Sequence, residues 1–174
     1  MTKRTAARGR LAALTLDDAS AAPANEMARH ERETAIADLL ADNQFALRAH
    51  PRAAYRLHVA RRNAALIFAF SDDRSGKPLA EIPLALGSFQ RSLRTYWAAC
   101  EEYYGAAAAG RADALEAMDA HRRQLHGEGA AQLRRRLAAH VEMDEPSARR
   151  LFTLLAVLHM PAARLSNAAQ PKQA

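Results

Sequence analysis

The sequence predicts an α+β fold: a small antiparallel β-meander packed against about four helices, with a C-terminal half that is all helical. Three observations predict it. Between Tyr55 and Leu86, apolar residues recur at every second position in runs separated by turn residues, the period of strands with one buried face. From Ser88 onward the spacing changes to three and four, the period of a helix. Strands therefore precede helices instead of alternating with them, which favours segregated layers over a β-α-β sheet. Residues 10–160 read as a single α+β domain, between a disordered basic arm at 1–9 and a disordered tail at 161–174.

Taken in order, Arg10 to Leu16 is a candidate first strand. A helix follows, with Asn25 as N-cap, Glu26 in its first turn and Ile36, Leu39 and Leu40 as its apolar stripe. Asn43 is its stop. Tyr55, Leu57 and Val59 alternate with Arg56, His58 and Ala60, and Leu66, Phe68 and Phe70 alternate likewise in the next strand. "DDRSGKP" is a turn signal before a third run, "LAEIPLAL". Pro83 has no N–H for a ladder, so this strand is expected at an edge or a bulge. Ser88 is the expected N-cap of a helix carrying Phe89, Leu93, Tyr96, Cys100, Tyr103 and Tyr104 on one face, with Gly105 near its end. A long helical pattern then covers Arg111 to Ala139, with "HGEG" as its one weak point. Asp144 caps the last helix, whose first turn holds Glu145 and Pro146. Its body, "ARRLFTLLAVLHM", is apolar almost all round, so it is expected to be central and buried. Pro161 ends it.

The totals exclude several function classes. The 174 residues are 49% hydrophobic and 25% charged, ordinary for a globular protein. Alanine is about a quarter of the chain, so the core rests on fewer large side chains. The net charge of +6 invites a nucleic-acid reading, but its location counts against one. Lys3, Arg4, Arg8, Arg10, Arg164 and Lys172 lie in two ends that hold no acid, and setting those six aside leaves 19 bases against 19 acids. Weak, salt-sensitive contact with nucleic acid through the arms is the most this pattern supports. The one cysteine, Cys100, allows no internal disulfide, so a cytoplasmic location is expected. The apolar run Leu11–Leu16 is too short for a signal peptide, and no stretch approaches a membrane span. A homo-oligomer and a small anionic ligand are the other partners left open.

Five stretches, "HERETAIADLLADNQF", "YRLHV", "YWAACEEYYG", "RRQLHGEG" and "ARRLFTLLAVLHM", occur in this order and spacing. Together they resemble the bacterial uncharacterised protein family 0262 over roughly Arg10 to Met160. The chain departs from the family pattern at His121 and Gln124, where glycines are usual, at Gly127, where asparagine is usual, and at Gln90, where arginine is usual. The resemblance implies no activity, substrate, cofactor or catalytic residue.

The densest polar constellation is "HRRQLHGEGAAQLRRR", His121 to Arg136. On a helical wheel, Leu115, Met118, Leu125, Leu133 and Leu137 share one face. Arg122 and His126 fall in the middle of it, with Asp119 at its edge and His121 and Glu128 on the flank. A core-facing arginine is costly unless paired. Three arrangements are open: an ion pair with Asp119 or a distant glutamate, a pocket in which Arg122 and His126 hold a carboxylate or phosphate, or a helix broken at Gly127-Glu128-Gly129. Asp119, Arg122, His126 and Glu128 are therefore the candidate ligand-binding residues, and no catalytic residue is assigned. His30 and Glu33 have the spacing of a helical metal pair but lack further ligands, so no metal site is expected. The aromatic stripe of the Ser88 helix reads as core, and Cys100 as a buried thiol. Nucleophile elbow, phosphate loop, dinucleotide fingerprint and zinc quartet are all missing, and no cofactor is expected. The function is not fixed by these residues. They favour a cytoplasmic, non-catalytic binding or interaction protein, with an enzyme or sensor of a small anionic ligand, using Arg122 and His126, as the alternative.

Overall fold

A computed structural model of the chain describes residues 9–17 and 26–159. The Asn25 cap, residues 1–8 of the arm and the tail lie outside the described residues. The elements are β1 (Arg10–Leu16), α1 (Glu26–Ala41), β2 (Phe45–Leu47), β3 (Ala54–Arg62), β4 (Ala65–Asp72), β5 (Pro78–Ala85), a 3₁₀ turn (Leu86–Phe89), α2 (Gln90–Ala108), α3 (Ala112–Leu137), β6 (Val141–Met143) and α4 (Glu145–His159). This is the α+β architecture read from the sequence, with helices filling the C-terminal half apart from the three-residue β6.

The meander forms as its alternation requires. In β3–β4, Leu57 pairs with Phe70 and Val59 with Phe68. In β4–β5, Phe68 pairs with Ile82 and Leu66 with Leu84. All seven of these side chains are buried, while Arg56 and His58 point to solvent. The order β1-β3-β4-β5 puts β5 at the edge of the sheet, where the missing N–H of Pro83 is harmless. The β1 strand changes the topology: it pairs with β3 in parallel, with a shift in register between Leu11 and Ala13. The sheet is therefore mixed, and β1–α1–β3 is a parallel crossover that the segregated order had not suggested.

Asn43 does more than stop α1. Its Nδ2 donates to the carbonyls of Leu39 at 2.8 Å and Leu11 at 3.0 Å, while its Oδ1 accepts from the Leu11 N–H at 2.8 Å. One side chain thus ties the end of α1 to β1. A two-stranded ribbon, β2 with β6, lies beside the sheet. Phe45, Leu47, Val141 and Met143 point inward from it and are buried. Ser88 does not cap α2: its hydroxyl donates to the Ala85 carbonyl, and its own carbonyl accepts from Gln132 Nε2 at 2.8 Å. Asp144 does cap α4, its Oδ1 accepting from the Ser147 N–H at 3.0 Å.

The α4 helix lies against both α1 and α3, and eight of its residues are buried, as its nearly continuous apolar surface demands. The α3 helix runs unbroken through Gly127-Glu128-Gly129, so the helical wheel holds and the proposed break does not occur. The two glycines serve packing. A Cβ on Gly129 would stand 2.2 Å from Cζ of Phe152, and one on Gly127 would stand 2.8 Å from Nη2 of Arg149. Their bare backbone lets α4 approach α3 closely.

Candidate functional site

The helices bring a polar seam into the aromatic core. Tyr96 of α2 stacks on His126 of α3, with ring centroids 5.3 Å apart and planes at 22°. Phe152 of α4 meets Tyr96 edge-on and lies 5.8 Å from His126. The imidazole Nε2 is 2.9 Å from both the Arg149 carbonyl and Thr153 Oγ1. A carbonyl only accepts, so Nε2 carries the hydrogen and donates to it. The Thr153 hydroxyl donates to the same carbonyl at 3.2 Å. Burial is the main reason that the His126 pKa lies below its usual value, and the nearby positive charges of Arg149 and Arg122 lower it further. The ring is thus held neutral near neutral pH.

One turn earlier on α3, Arg122 Nη2 donates to Asp119 Oδ1 at 2.7 Å, and Arg123 Nη1 approaches Asp119 Oδ2 at 3.4 Å. The guanidinium lies 5.2 Å from the Tyr103 ring centroid, a cation–π arrangement. Burial opposes the Arg122 charge, but the Asp119 hydrogen bond outweighs it and the pKa moves up. The same hydrogen bond holds the Asp119 carboxyl below its ordinary range. The pair is only partly buried, the Arg122 side chain being 28% exposed and that of Asp119 26%. Arg122 Nε is buried without a partner.

The structure thus brings three of the four candidates into one row on α3. Glu128 is not among them: it is exposed and accepts from Gln124 Nε2 at 2.9 Å. Two residues that the sequence reading passed over complete the seam. Glu31 of α1 accepts from the Tyr104 hydroxyl at 3.4 Å, and Arg149 supplies the carbonyl that holds His126. Cys100 is buried beside them, its thiol pushed up to about 11 chiefly by burial, a protonated and unreactive state. A groove of about 330 Å³ opens between α1 and α4, with Glu31 and Asp38 on one wall, Arg149 and Arg150 on the other, and His126 among its lining residues. Arg122 lies outside it. Among the described residues, no group of three His, Cys, Asp or Glu side chains is placed to hold a metal ion, and no helix is long and apolar enough to cross a membrane.

This environment predicts an acid-side loss of stability. His126 and His159, both lowered chiefly by burial, take up protons in the unfolded chain before they do so in the fold. Stability should therefore be full above the unfolded histidine value of about 6.5 and fall as pH drops below it, levelling off below the folded values. Urea melts from about pH 7.5 to about pH 5.5 should show this slope, and His126→Gln should flatten it. An unchanged slope in the variant would mean that His126 is charged in the fold.

The profile described as "Uncharacterised protein family (UPF0262)" matches residues 8–161. A UPF0262 protein of Xanthobacter autotrophicus is 40% identical over 151 residues, covering 86% of this chain and 92% of that protein. One from Azorhizobium caulinodans is 38% identical over 151 residues, covering 86% and 93%, and one from Acidiphilium cryptum is 40% identical over 152 residues, covering 87% and 93%. No solved structure matches the chain.

Proposed function

For this chain, which belongs to the uncharacterised bacterial protein family UPF0262, we propose a non-catalytic binding or interaction role in the cytoplasm, in which the polar seam braces the helices and performs no chemistry. The observation that carries this reading is that the reactive heads of the seam are already spoken for. Arg122 is held by Asp119, His126 Nε2 by the Arg149 carbonyl, and the Cys100 thiol is protonated. A general base or a nucleophile needs a free lone pair aimed at substrate. Binding is assigned to the domain at 10–160, the basic arms adding at most weak, salt-sensitive contact with nucleic acid.

A second reading rests on the unpartnered Arg122 Nε and on His126 lining the α1–α4 groove. With Asp119 displaced, Arg122 and His126 would clamp a small carboxylate or phosphate. Thermal-shift measurements with inorganic phosphate and a panel of phosphorylated and carboxylated metabolites separate the two. The structural reading expects no stabilisation that depends on both Arg122 and His126. It also expects Arg122→Leu to cost about 1 kcal/mol or less, because the pair is partly exposed and Asp119 keeps Arg123. Stabilisation by one compound that vanishes in both Arg122→Leu and His126→Gln would establish the ligand-binding reading instead.

A further inference from the structure

The β2–β6 ribbon leaves one edge bare. Its register pairs Ala46 with Glu142, and the flanking bonds run from Arg48 N–H to the His140 carbonyl at 2.9 Å and from Asp144 N–H to the Gln44 carbonyl at 3.2 Å. Even-numbered residues therefore carry the ladder, and the odd-numbered ones turn their main-chain groups outward. On β2 those outward donors are used: Phe45 N–H donates to the Gly9 carbonyl at 3.1 Å and Leu47 N–H to the Tyr55 hydroxyl at 3.2 Å. On β6 they are not. Among the described residues, β6 has no second neighbouring strand, so Val141 and Met143 present two N–H and two C=O groups in strand spacing.

This edge borders open space. A cavity of about 340 Å³ is lined by Val141 and Met143 on one side and by Arg134 and Arg135 of α3 on the other. A second, of about 430 Å³, adjoins it and shares Met143, Glu142 and Arg134. Arg48 stands at the same groove, its Nε donating to the Ala138 carbonyl at 2.6 Å. Arg134 and Arg135 are exposed, and neither pairs with an acid among the described residues.

We propose that the outer edge of β6, with Arg48, Arg134 and Arg135 beside it, is a docking site for an extended acidic segment of a partner protein. It rests on the interaction reading above and names the partner's chemistry. The alternating main-chain donors and acceptors require a strand, as in β-strand addition. The three guanidinium groups favour carboxylates on that strand. A second copy of this chain fits less well, because two-fold pairing of this edge with itself places Glu142 opposite Glu142, a like-charge pair.

The test uses the full chain and a fluorescein-labelled hexapeptide of alternating glutamate and valine, together with the same peptide N-methylated at alternate amides. The parent peptide should bind saturably by anisotropy and slow amide exchange at Val141 and Met143 by about tenfold or more. Arg134→Glu/Arg135→Glu, which alters only exposed side chains, should weaken it by about tenfold or more, and the N-methylated peptide should not bind. Equal binding of both peptides would reduce the site to a charged surface and overturn the proposal. So would the absence of saturable binding up to about 1 mM, where an affinity is only about −4 kcal/mol. A dimer seen by sedimentation and dissolved by the double charge reversal would assign the edge to a second copy. None of these outcomes touches Arg122 or His126, so the metabolite panel judges the non-catalytic reading separately.

Discussion

Gly129→Ala should destabilise the domain by about 3 kcal/mol, although helix propensity alone predicts a gain of about 1 kcal/mol. The sign is decided at the α3–α4 contact. The added Cβ would stand 2.2 Å from Cζ, 2.5 Å from Cε2 and 2.6 Å from Cε1 of Phe152, so the whole end of the ring is in the way. That ring is fully buried and bounded by Tyr96 and His126, and no rotamer is free for it. The helices must separate, which also loosens the His126 bond to the Arg149 carbonyl. Phe152→Leu removes the end of the ring and costs stability alone, but in combination it should relieve the clash. A double-mutant cycle from urea melts should then show a favourable coupling of about 2 kcal/mol. Gly127→Ala is the control, because its new methyl meets only Nη2 of Arg149 at 2.8 Å, the end of a flexible side chain. It should be near neutral. A Gly129→Ala protein as stable as the wild type would show that α3 and α4 do not pack this closely.

The fold was legible where local pattern and tertiary burial agree. Leu57, Val59, Leu66, Phe68 and Phe70 alternate in sequence and face one core. The buried face of α4 and its Asp144 cap follow from residues within one or two turns. What was hidden depends on residues distant in sequence. The β2 and β6 strands hold three residues each, too few to display a period, and they meet only because α4 and β1 bring them together. The parallel pairing of β1 is set by the crossover through α1, which no local signal announces. Of the candidate site, the Asp119–Arg122 pair was readable from its spacing of three on a helix, as was the inward direction of His126. Its acceptor, the Arg149 carbonyl, was not, because it comes from another helix. Gly127 and Gly129 carried an ambiguous signal: two weak helix formers mark either a break or a close approach, and only the partner helix decides.

Asn43→Ala should cost about 3 kcal/mol, the second-largest effect expected from a single polar substitution here. It orphans the Leu39 and Leu11 carbonyls and the Leu11 N–H at one stroke, at the point where α1 hands the chain back toward the sheet. Truncation leaves these groups partly shielded from water, which is where an unmade hydrogen bond is most costly. Asn43→Asp separates the donor role from the acceptor role. An ionised carboxylate still accepts from the Leu11 N–H, but it faces two carbonyl oxygens that need donors. At neutral pH that variant should be less stable than Asn43→Ala. Repulsion from the carbonyls raises the carboxyl pKa in the fold above its unfolded value, so the folded state binds the proton more tightly. Its stability relative to wild type should therefore rise as pH falls through the folded value, because a protonated acid can donate to one carbonyl. Urea melts at about pH 7 and about pH 5 measure the change. A deficit in Asn43→Asp that does not shrink on acidification would mean that water, and not Asn43, satisfies the Leu11 and Leu39 carbonyls.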